Sequence, residues 1–138
     1  MALIEEKKAF MTGNEVVAWA AVAARADIMY GYPITPQNEI MHYWTRLAPK
    51  YEKKFMQTED ELSAGFTALG GVMAGKRAFT ATAGPGNVLM QEPIAMAEMM
   101  RIPSVMIIQQ KYASNRSFPT NGGLHPQEVE LRPSAYFL

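Results

Sequence analysis

The sequence predicts an α/β fold, with an open, mostly parallel sheet and helices on both of its faces. Stretches with helical spacing alternate with short apolar stretches over most of the first 110 residues. Such alternation is typical of parallel sheets, in which a helix connects each strand to the next. The clearest strand covers residues 104–110, SVMIIQQ, because a short continuous apolar run is typical of a buried strand.

The first helix has a recognisable start signal. Thr12 is followed three residues later by Glu15, a capping-box pattern, and the helix is expected to continue to about Arg25. The residues expected to be buried on it are Val16, Ala20, Ala23 and Ala24.

A second start signal lies further along the chain. Thr35 is a good N-cap and Pro36 suits the first helical position, so a helix is expected from there to about Ala48. A third helix is expected over residues 60–74, with Gly75 ending it. The remaining expected elements are a helix over 87–100 and strands over 28–32, 54–57, 78–83 and 104–110.

The helix expected at residues 60–74 is unusually rich in small residues. Each glycine inside a helix costs about 1 kcal/mol relative to alanine. Another segment must therefore approach this helix closely to offset that cost, and docking of a partner chain is one explanation. The small residues are Ser63, Ala64, Gly65, Ala68, Gly70, Gly71 and Ala74.

Composition narrows the possible functions. The 138 residues fit one domain, and 13 basic and 13 acidic side chains cancel, so nucleic-acid binding is not favoured. The absence of cysteine excludes disulfides, thiol nucleophiles and an iron–sulfur cluster held by this chain. His42 and His125 show no metal-ligand spacing, so no metal site is predicted. No apolar run is long enough for a membrane span, and a cytoplasmic location is expected.

One motif resembles a phosphate-binding loop and is rejected. Residues 70–77 match seven of its eight positions, but Arg77 stands where a serine or threonine should contact magnesium. Such a loop should follow a strand and begin a helix. Here the segment is expected to end a helix and precede a strand, so it does not predict a nucleotide site.

Three loops are expected at the carboxyl edge of the sheet, where open α/β sheets bind ligands. They cover residues 31–37, 58–61 and 83–87. In the first, Thr35 offers a hydroxyl to an anion, although it could simply cap a helix. In the second, the acidic residues could simply complement the helix dipole, by about 0.3–1 kcal/mol each. The third is a glycine-bearing turn, common in α/β proteins.

Four segments in this order resemble one family. GYPITP at 31–36, QTEDE at 57–61, TATAGPG at 80–86 and EPIAMAEMMRIPSVMI at 92–107 are similar to the α subunit, or corresponding N-terminal domain, of 2-oxoacid:ferredoxin oxidoreductases. The resemblance covers residues 11–109 and is nearest to enzymes for 2-oxoglutarate or branched-chain 2-oxoacids. It implies a pyrimidine-binding domain for thiamine diphosphate over residues 1–110. Residues 111–138 would be a divergent tail, either truncated or poorly ordered.

The resemblance assigns roles to individual residues. Glu61 would be the catalytic, cofactor-binding glutamate that hydrogen-bonds the aminopyrimidine ring and promotes its imino tautomer. Its distance from the TATAGPG segment matches the family better than that of Glu59. Thr35 and Pro33 would meet the substrate. The turn that would line the cofactor pocket consists of Gly84, Pro85, Gly86 and Asn87.

The resemblance also implies partners. The family's Gly-Asp-Gly motif for Mg²⁺ is missing, since Asp27 and Asp60 are the only aspartates and neither lies in such a motif. The diphosphate and Mg²⁺ would therefore be held by a β subunit, and electrons would leave through iron–sulfur and γ subunits to ferredoxin. The reaction implied is the CoA-dependent oxidative decarboxylation of a 2-oxoacid, by the complex and not by the isolated chain.

The pattern departs from the family after Gln109. Gln110 stands where the family has an arginine thought to help bind substrate or CoA, and Lys111 or Arg116 is the available substitute. Two alternatives therefore remain. One is a non-catalytic, truncated remnant that acts only in assembly, and the other is an unrelated α/β module that binds a small molecule.

Overall fold

Four parallel strands and one antiparallel edge strand form a single sheet in the order β2–β1–β3–β4–β5. The computed structural model describes residues 9–109 and the backbone of residues 133–137. The strands are β1 (Ile28–Gly31), β2 (Lys54–Gln57), β3 (Ala78–Ala83), β4 (Val105–Gln109) and β5 (Pro133–Phe137). The helices are α1 (Gly13–Ala23), α2 (Asn38–Leu47), α3 (Glu61–Met73), α4 (Gly86–Leu89) and α5 (Gln91–Met100), and a 3-10 turn covers Ala48–Tyr51. The predicted fold class is confirmed.

The antiparallel strand β5 lies in the segment predicted to be a divergent tail, and the sequence analysis does not anticipate it. Its Pro133 pairs with Gln109 of β4. The predicted domain boundary after residue 110 lies outside the described residues, as do Gln110, Lys111 and Arg116. Within the described ranges, no helix combines the length and the apolar character needed to cross a membrane.

Two apolar clusters pack the helices on opposite faces of the sheet. On one face, α1 and α2 pack around Trp44, whose ring lies edge-on against Phe79 of β3 with centroids 5.0 Å apart. The indole N–H of Trp44 donates to the backbone oxygen of Lys54, 2.9 Å away, which ties α2 to β2. On the other face, α3 and α5 pack on Met106 of β4. Helices therefore cover both faces, as predicted.

The predicted buried face of α1 is wrong. All four residues expected inside are exposed, and the buried positions are Asn14, Ala18 and Val22. Residues 16–24 are all apolar, so the sequence contains no polar face to define the opposite side. The start is correct, since the Thr12 hydroxyl oxygen accepts from the Glu15 N–H at 3.3 Å.

Two further helix predictions need correction. Helix α2 begins at Asn38, because Thr35 and Pro36 form a turn in which the Asn38 N–H donates to the Ile34 oxygen. The helix expected over 87–100 is split into α4 and α5. Pro93 explains the split, since it has no N–H to donate to the carbonyl of residue 89 and its ring would clash with that carbonyl.

The small residues of α3 serve this chain's own packing. A Cβ on Gly65 would overlap the ring of Pro93, and one on Gly71 would lie 2.9 Å from the Ala78 Cβ. The expected close approach is therefore confirmed, but at these positions it comes from α5 and β3 of the same chain. Helix α3 ends before Gly75, which has a φ of +77°, and leads into β3. Residues 70–77 thus close a helix, which confirms the rejection of a phosphate-binding loop.

Asp27 connects three segments at the amino edge of the sheet. Its carboxylate accepts from the Arg77 backbone N–H at 2.9 Å and lies 3.7 Å from Lys53 Nζ. The Arg77 hydrogen bond holds the pKa of Asp27 below its ordinary value of 3.8, and the charge of Lys53 acts in the same direction.

This lowered pKa predicts a dependence of stability on pH. A carboxylate with a depressed pKa stabilises the fold above its unfolded-state pKa and loses that effect as the pH falls through its folded-state pKa. Asp27→Asn should therefore lower the urea midpoint at neutral pH, and the difference from wild type should shrink in acid. Glu98→Gln, at an exposed site on α5, is the control. A difference for Asp27→Asn that is the same at every pH would contradict this assignment.

Candidate active site

The parallel register brings three loops to the carboxyl edge of the sheet. Gly31 of β1 pairs with Gln57 of β2 and with Ala81 of β3, so the loops after these strands emerge side by side. They cover residues 32–37, 58–60 and 84–85. This arrangement is the one expected from the sequence, and this edge is where open α/β sheets bind ligands.

Glu61 is the buried carboxylate of this edge. It is the first residue of α3 and is only 7 % exposed to solvent. Glu59, two residues earlier, is exposed. Asp60 caps the helix, because its Oδ1 accepts from the Ser63 N–H at 2.6 Å. That hydrogen bond lowers the pKa of Asp60. Within residues 9–109, no lysine or arginine forms an ion pair with Glu61.

The position of Glu61 explains how its carboxylate is tolerated inside the protein. Burying an unpaired charge is costly, and such groups are concentrated at functional sites. The N-terminal end of a helix offsets part of the cost, because its dipole favours a negative charge. Glu61 is therefore placed where a carboxylate can be kept partly dry and directed at a ligand.

Gly86 lies directly against this carboxylate. A Cβ at this position would lie 2.8 Å from Glu61 Oε1 and would overlap Thr82 Oγ1. Gly86 begins α4. Gly84, two residues earlier, has a φ of +50°, which residues other than glycine rarely adopt. The turn between β3 and α4 thus brings bare backbone to the Glu61 side chain.

The other two residues of the predicted turn lie further out. Pro85 is exposed. The Asn87 backbone N–H donates to the Gly84 oxygen at 3.1 Å, and the Asn87 Oδ1 accepts from Gln91 Nε2 at 3.3 Å. The structure therefore brings Gly86 to Glu61, while the side chain of Asn87 is engaged by α5. A role for these residues in cofactor binding stays a prediction.

The predicted substrate residues lie in the loop after β1. Pro33 and Thr35 are both exposed, so their side chains are accessible. The loop is anchored by Asn14 of α1, whose Nδ2 donates to the Pro36 oxygen at 3.3 Å and to Glu39 Oε2 at 2.7 Å. Sequence reasoning missed Asn14, because the apolar run that follows it does not show which face of α1 is buried.

Several buried polar groups were also missed. Within the described residues, both amide atoms of Gln37 and the hydroxyl of Thr82 are buried and make no hydrogen bond. A buried polar group without a partner costs about 1–3 kcal/mol. Gln37 is the last residue of the first loop and Thr82 lies one residue before the end of β3, so both belong to the edge that carries Glu61. No signal in the sequence separates them from ordinary loop and strand residues.

Two surface grooves lie away from this edge. One of about 600 Å³ is lined by apolar residues of α1 and of the first halves of β3 and β4. The other, of about 520 Å³, lies beside the small residues Gly70 and Gly71 of α3. Neither groove includes Glu61, Gly86 or Thr35. The candidate site is therefore identified from the side chains that meet at the carboxyl edge and not from a groove.

A family comparison agrees with this geometry. Residues 19–124 match the family model described as pyruvate flavodoxin/ferredoxin oxidoreductase, thiamine diphosphate-binding. The chain belongs to this family. The suspected resemblance is confirmed, and so is the link to thiamine diphosphate at the level of the domain.

Individual relatives are α-type subunits of 2-oxoacid oxidoreductases. The chain is 39 % identical over 108 residues to the 2-oxoglutarate synthase subunit KorA of Archaeoglobus fulgidus, covering 78 % of this chain and 31 % of that one. It is 36 % identical over 118 residues to the ketoisovalerate oxidoreductase subunit VorB of Methanothermobacter marburgensis, covering 86 % and 32 %. The chain thus spans about a third of the length of these relatives.

A solved structure has the same fold. The 2-oxoglutarate:ferredoxin oxidoreductase from Magnetococcus marinus, solved with 2-oxoglutarate, coenzyme A and succinyl-CoA bound, superposes with a TM-score of 0.71 at 36 % identity. The match covers 73 % of this chain and 18 % of that one. The fold and the family are therefore established by independent comparisons.

The contact between Gly86 and Glu61 predicts the effect of a small substitution. Gly86→Ala should force Glu61 and Thr82 apart, lower stability by about 1–3 kcal/mol and weaken thiamine diphosphate binding in the assembled complex. Gly70→Ala is the control, because a Cβ there meets nothing within 4 Å and should stabilise α3 by about 0.5–1 kcal/mol. Thermal unfolding and cofactor titration would check both. Equal cofactor affinity in the two variants would contradict the proposed close packing.

Proposed function

We propose that this chain supplies the pyrimidine-side half of the thiamine diphosphate site in a 2-oxoacid:ferredoxin oxidoreductase, and that it has no activity alone. The observation that carries the proposal is the buried Glu61 carboxylate, placed beside Gly86 in a domain of the thiamine diphosphate-binding family. In the complex, the reaction would be the CoA-dependent oxidative decarboxylation of a 2-oxoacid, with electrons passed to ferredoxin.

The residues of the edge fit the pyrimidine end of this cofactor. The Glu61 carboxylate and the Thr82 hydroxyl, which has no hydrogen-bond partner among the described residues, both lie close to the bare backbone of Gly86. Glu61 would hydrogen-bond the aminopyrimidine ring and hold a proton at its ring nitrogen, while Gly86 would admit the ring close to the backbone. When bound, thiamine diphosphate supplies a carbon nucleophile and an electron sink for decarboxylation.

We assign the diphosphate and Mg²⁺ to a partner β subunit. Among residues 9–109 there is no group of three metal-ligating side chains. Asp60 is used as a helix cap, and Asp27 precedes β1 at the opposite edge of the sheet from Glu61. Iron–sulfur clusters would lie on ferredoxin-like and γ subunits, because this chain has no cysteine. We also propose a cytoplasmic location for the complex, in line with the lack of a membrane-spanning helix within residues 9–109.

The substrate side of the site is assigned to the loop after β1. Its exposed Thr35 offers a hydroxyl that suits the carboxylate of a 2-oxoacid, and Pro33 would line the same path. The Asn14 hydrogen bond to Pro36 would hold this loop in place when the substrate binds. The proposal does not specify the side chain of the preferred 2-oxoacid, because the segment after β4, where the sequence departs from the family, lies outside the described residues.

The proposal is tested by removing the Glu61 charge in the reconstituted complex. Glu61→Gln should lower the 2-oxoacid-dependent reduction of a redox dye by about 10²–10⁴-fold, because a group that moves a proton is lost. Glu59→Gln is a matched control two residues earlier in the chain; Glu59 is exposed, so this variant should keep wild-type turnover. Near-normal turnover of Glu61→Gln, with subunit association intact, would contradict the role of Glu61.

A non-catalytic role in assembly is the second candidate. It is favoured by Gln110, which replaces the arginine of the family's substrate loop. The wild-type complex separates the two functions, since both predict association with a β subunit and only the first predicts dye reduction. An assembled wild-type complex that reduces no dye with pyruvate, 2-oxoglutarate, branched-chain or aryl 2-oxoacids would favour the assembly role.

A further inference from the structure

The hydroxyl of Thr82 is a second polar group in the space around Glu61. Thr82 lies near the end of β3 and is 1 % exposed, and its Oγ1 makes no hydrogen bond within the described residues. Valine has nearly the same shape without the hydroxyl and suits a buried strand better. A threonine at this position therefore lowers the stability of the fold unless its hydroxyl acts on a neighbouring group.

The neighbouring group is the Glu61 carboxylate. The position of a Cβ on Gly86 serves as a common reference point: Glu61 Oε1 lies 2.8 Å from it, and Thr82 Oγ1 lies closer still. The two oxygens therefore lie near each other, both against the backbone of Gly86. In the structure they do not form a hydrogen bond, but catalytic hydrogen bonds are often long without substrate and shorten when the site is filled.

We propose that Thr82 is a positioning residue, whose hydroxyl donates a hydrogen bond to the Glu61 carboxylate and fixes its direction in the filled site. This inference rests on the proposed function of Glu61. Thr82 would then orient the carboxylate from the strand side, while Gly86 leaves room for it from the α4 side.

Thr80 provides a matched control. It lies on the same strand, two residues before Thr82, and its side chain leaves the same face of the sheet because side chains alternate along a strand. It is fully buried and its hydroxyl also makes no hydrogen bond within the described residues. It differs from Thr82 in lying about 6.6–6.8 Å further back along the strand, away from Glu61.

The test compares Thr82→Val, Thr82→Ser and Thr80→Val in the assembled complex. Before cofactor is added, both valine variants should raise the melting temperature, because each removes a buried hydroxyl that has no hydrogen-bond partner among the described residues. Thr82→Val should lower kcat by about tenfold or more, equivalent to about 1.4 kcal/mol in the barrier. Thr80→Val should stay within about twofold of wild type, and Thr82→Ser should keep most of the activity because it keeps the hydroxyl. Wild-type kcat in Thr82→Val, or an equal loss in Thr80→Val, would overturn the inference.

A double mutant shows whether Thr82 acts through Glu61. In the Glu61→Gln background, Thr82→Val should cause no further loss, since the group that it positions is already removed. A further tenfold loss there would overturn the inference. Near-normal turnover of Glu61→Gln would contradict the proposed function. A large loss of turnover in Glu61→Gln, with no loss in Thr82→Val, would contradict only the role of Thr82.

Discussion

The approach of the α4 backbone to the first turn of α3 is the constraint on which the site depends. Gly86 leaves no room for a Cβ between itself and the Glu61 side chain. Two other glycines let α3 pack closely on its neighbours, because Gly65 packs against Pro93 of α5 and Gly71 packs against Ala78 of β3. Two of the three glycines that weaken α3 as an isolated helix are thus the ones that let it lie close to α5 and β3. The location of Glu61 follows from that packing.

The same packing explains how a carboxylate is kept inside a small domain. Glu61 lies at the positive end of the α3 dipole, and Asp60 already caps the helix, so the Glu61 side chain is not used for capping. The Thr82 hydroxyl and the Gln37 amide, which form no hydrogen bond within the described part of the chain, lie at the same edge. These polar groups cost stability in this chain, and a ligand or partner that met them would recover part of that cost. An edge of this kind is consistent with a site completed by a second subunit.

Local patterns in the sequence predicted most of the elements. Residues 54–57 and 78–83 were predicted as strands with the observed limits, and Thr12 was predicted as the cap of α1. The errors have physical causes. The apolar run 16–24 contains no polar face, so periodicity could not orient α1. The break between α4 and α5 follows from Pro93, a signal that was present but was interpreted as part of one helix. Strand β5 depends on pairing with β4 across more than 20 intervening residues, which no local pattern reports.

The residues of the candidate site were likewise only partly predictable from the sequence. The order of the motifs was sufficient to choose Glu61 over Glu59, and the burial of Glu61 agrees with that choice. The supporting residues could not be found from local patterns, since Asn14 acts on a loop 22 residues away and Thr82 acquires its neighbours only in the folded chain. Residues expected to contact a ligand form recognisable sequence motifs. Residues that position those side chains are identified from tertiary contacts.

The central claim is that the Glu61 carboxylate faces the pyrimidine ring of thiamine diphosphate. A structure of the assembled complex with the cofactor bound would measure this directly. The account predicts a Glu61 carboxylate oxygen within about 2.6–3.2 Å of a pyrimidine ring nitrogen, with Gly86 beside the ring. A pyrimidine ring bound at the opposite edge of the sheet, or contacted by Glu59 while Glu61 faces another direction, would contradict it.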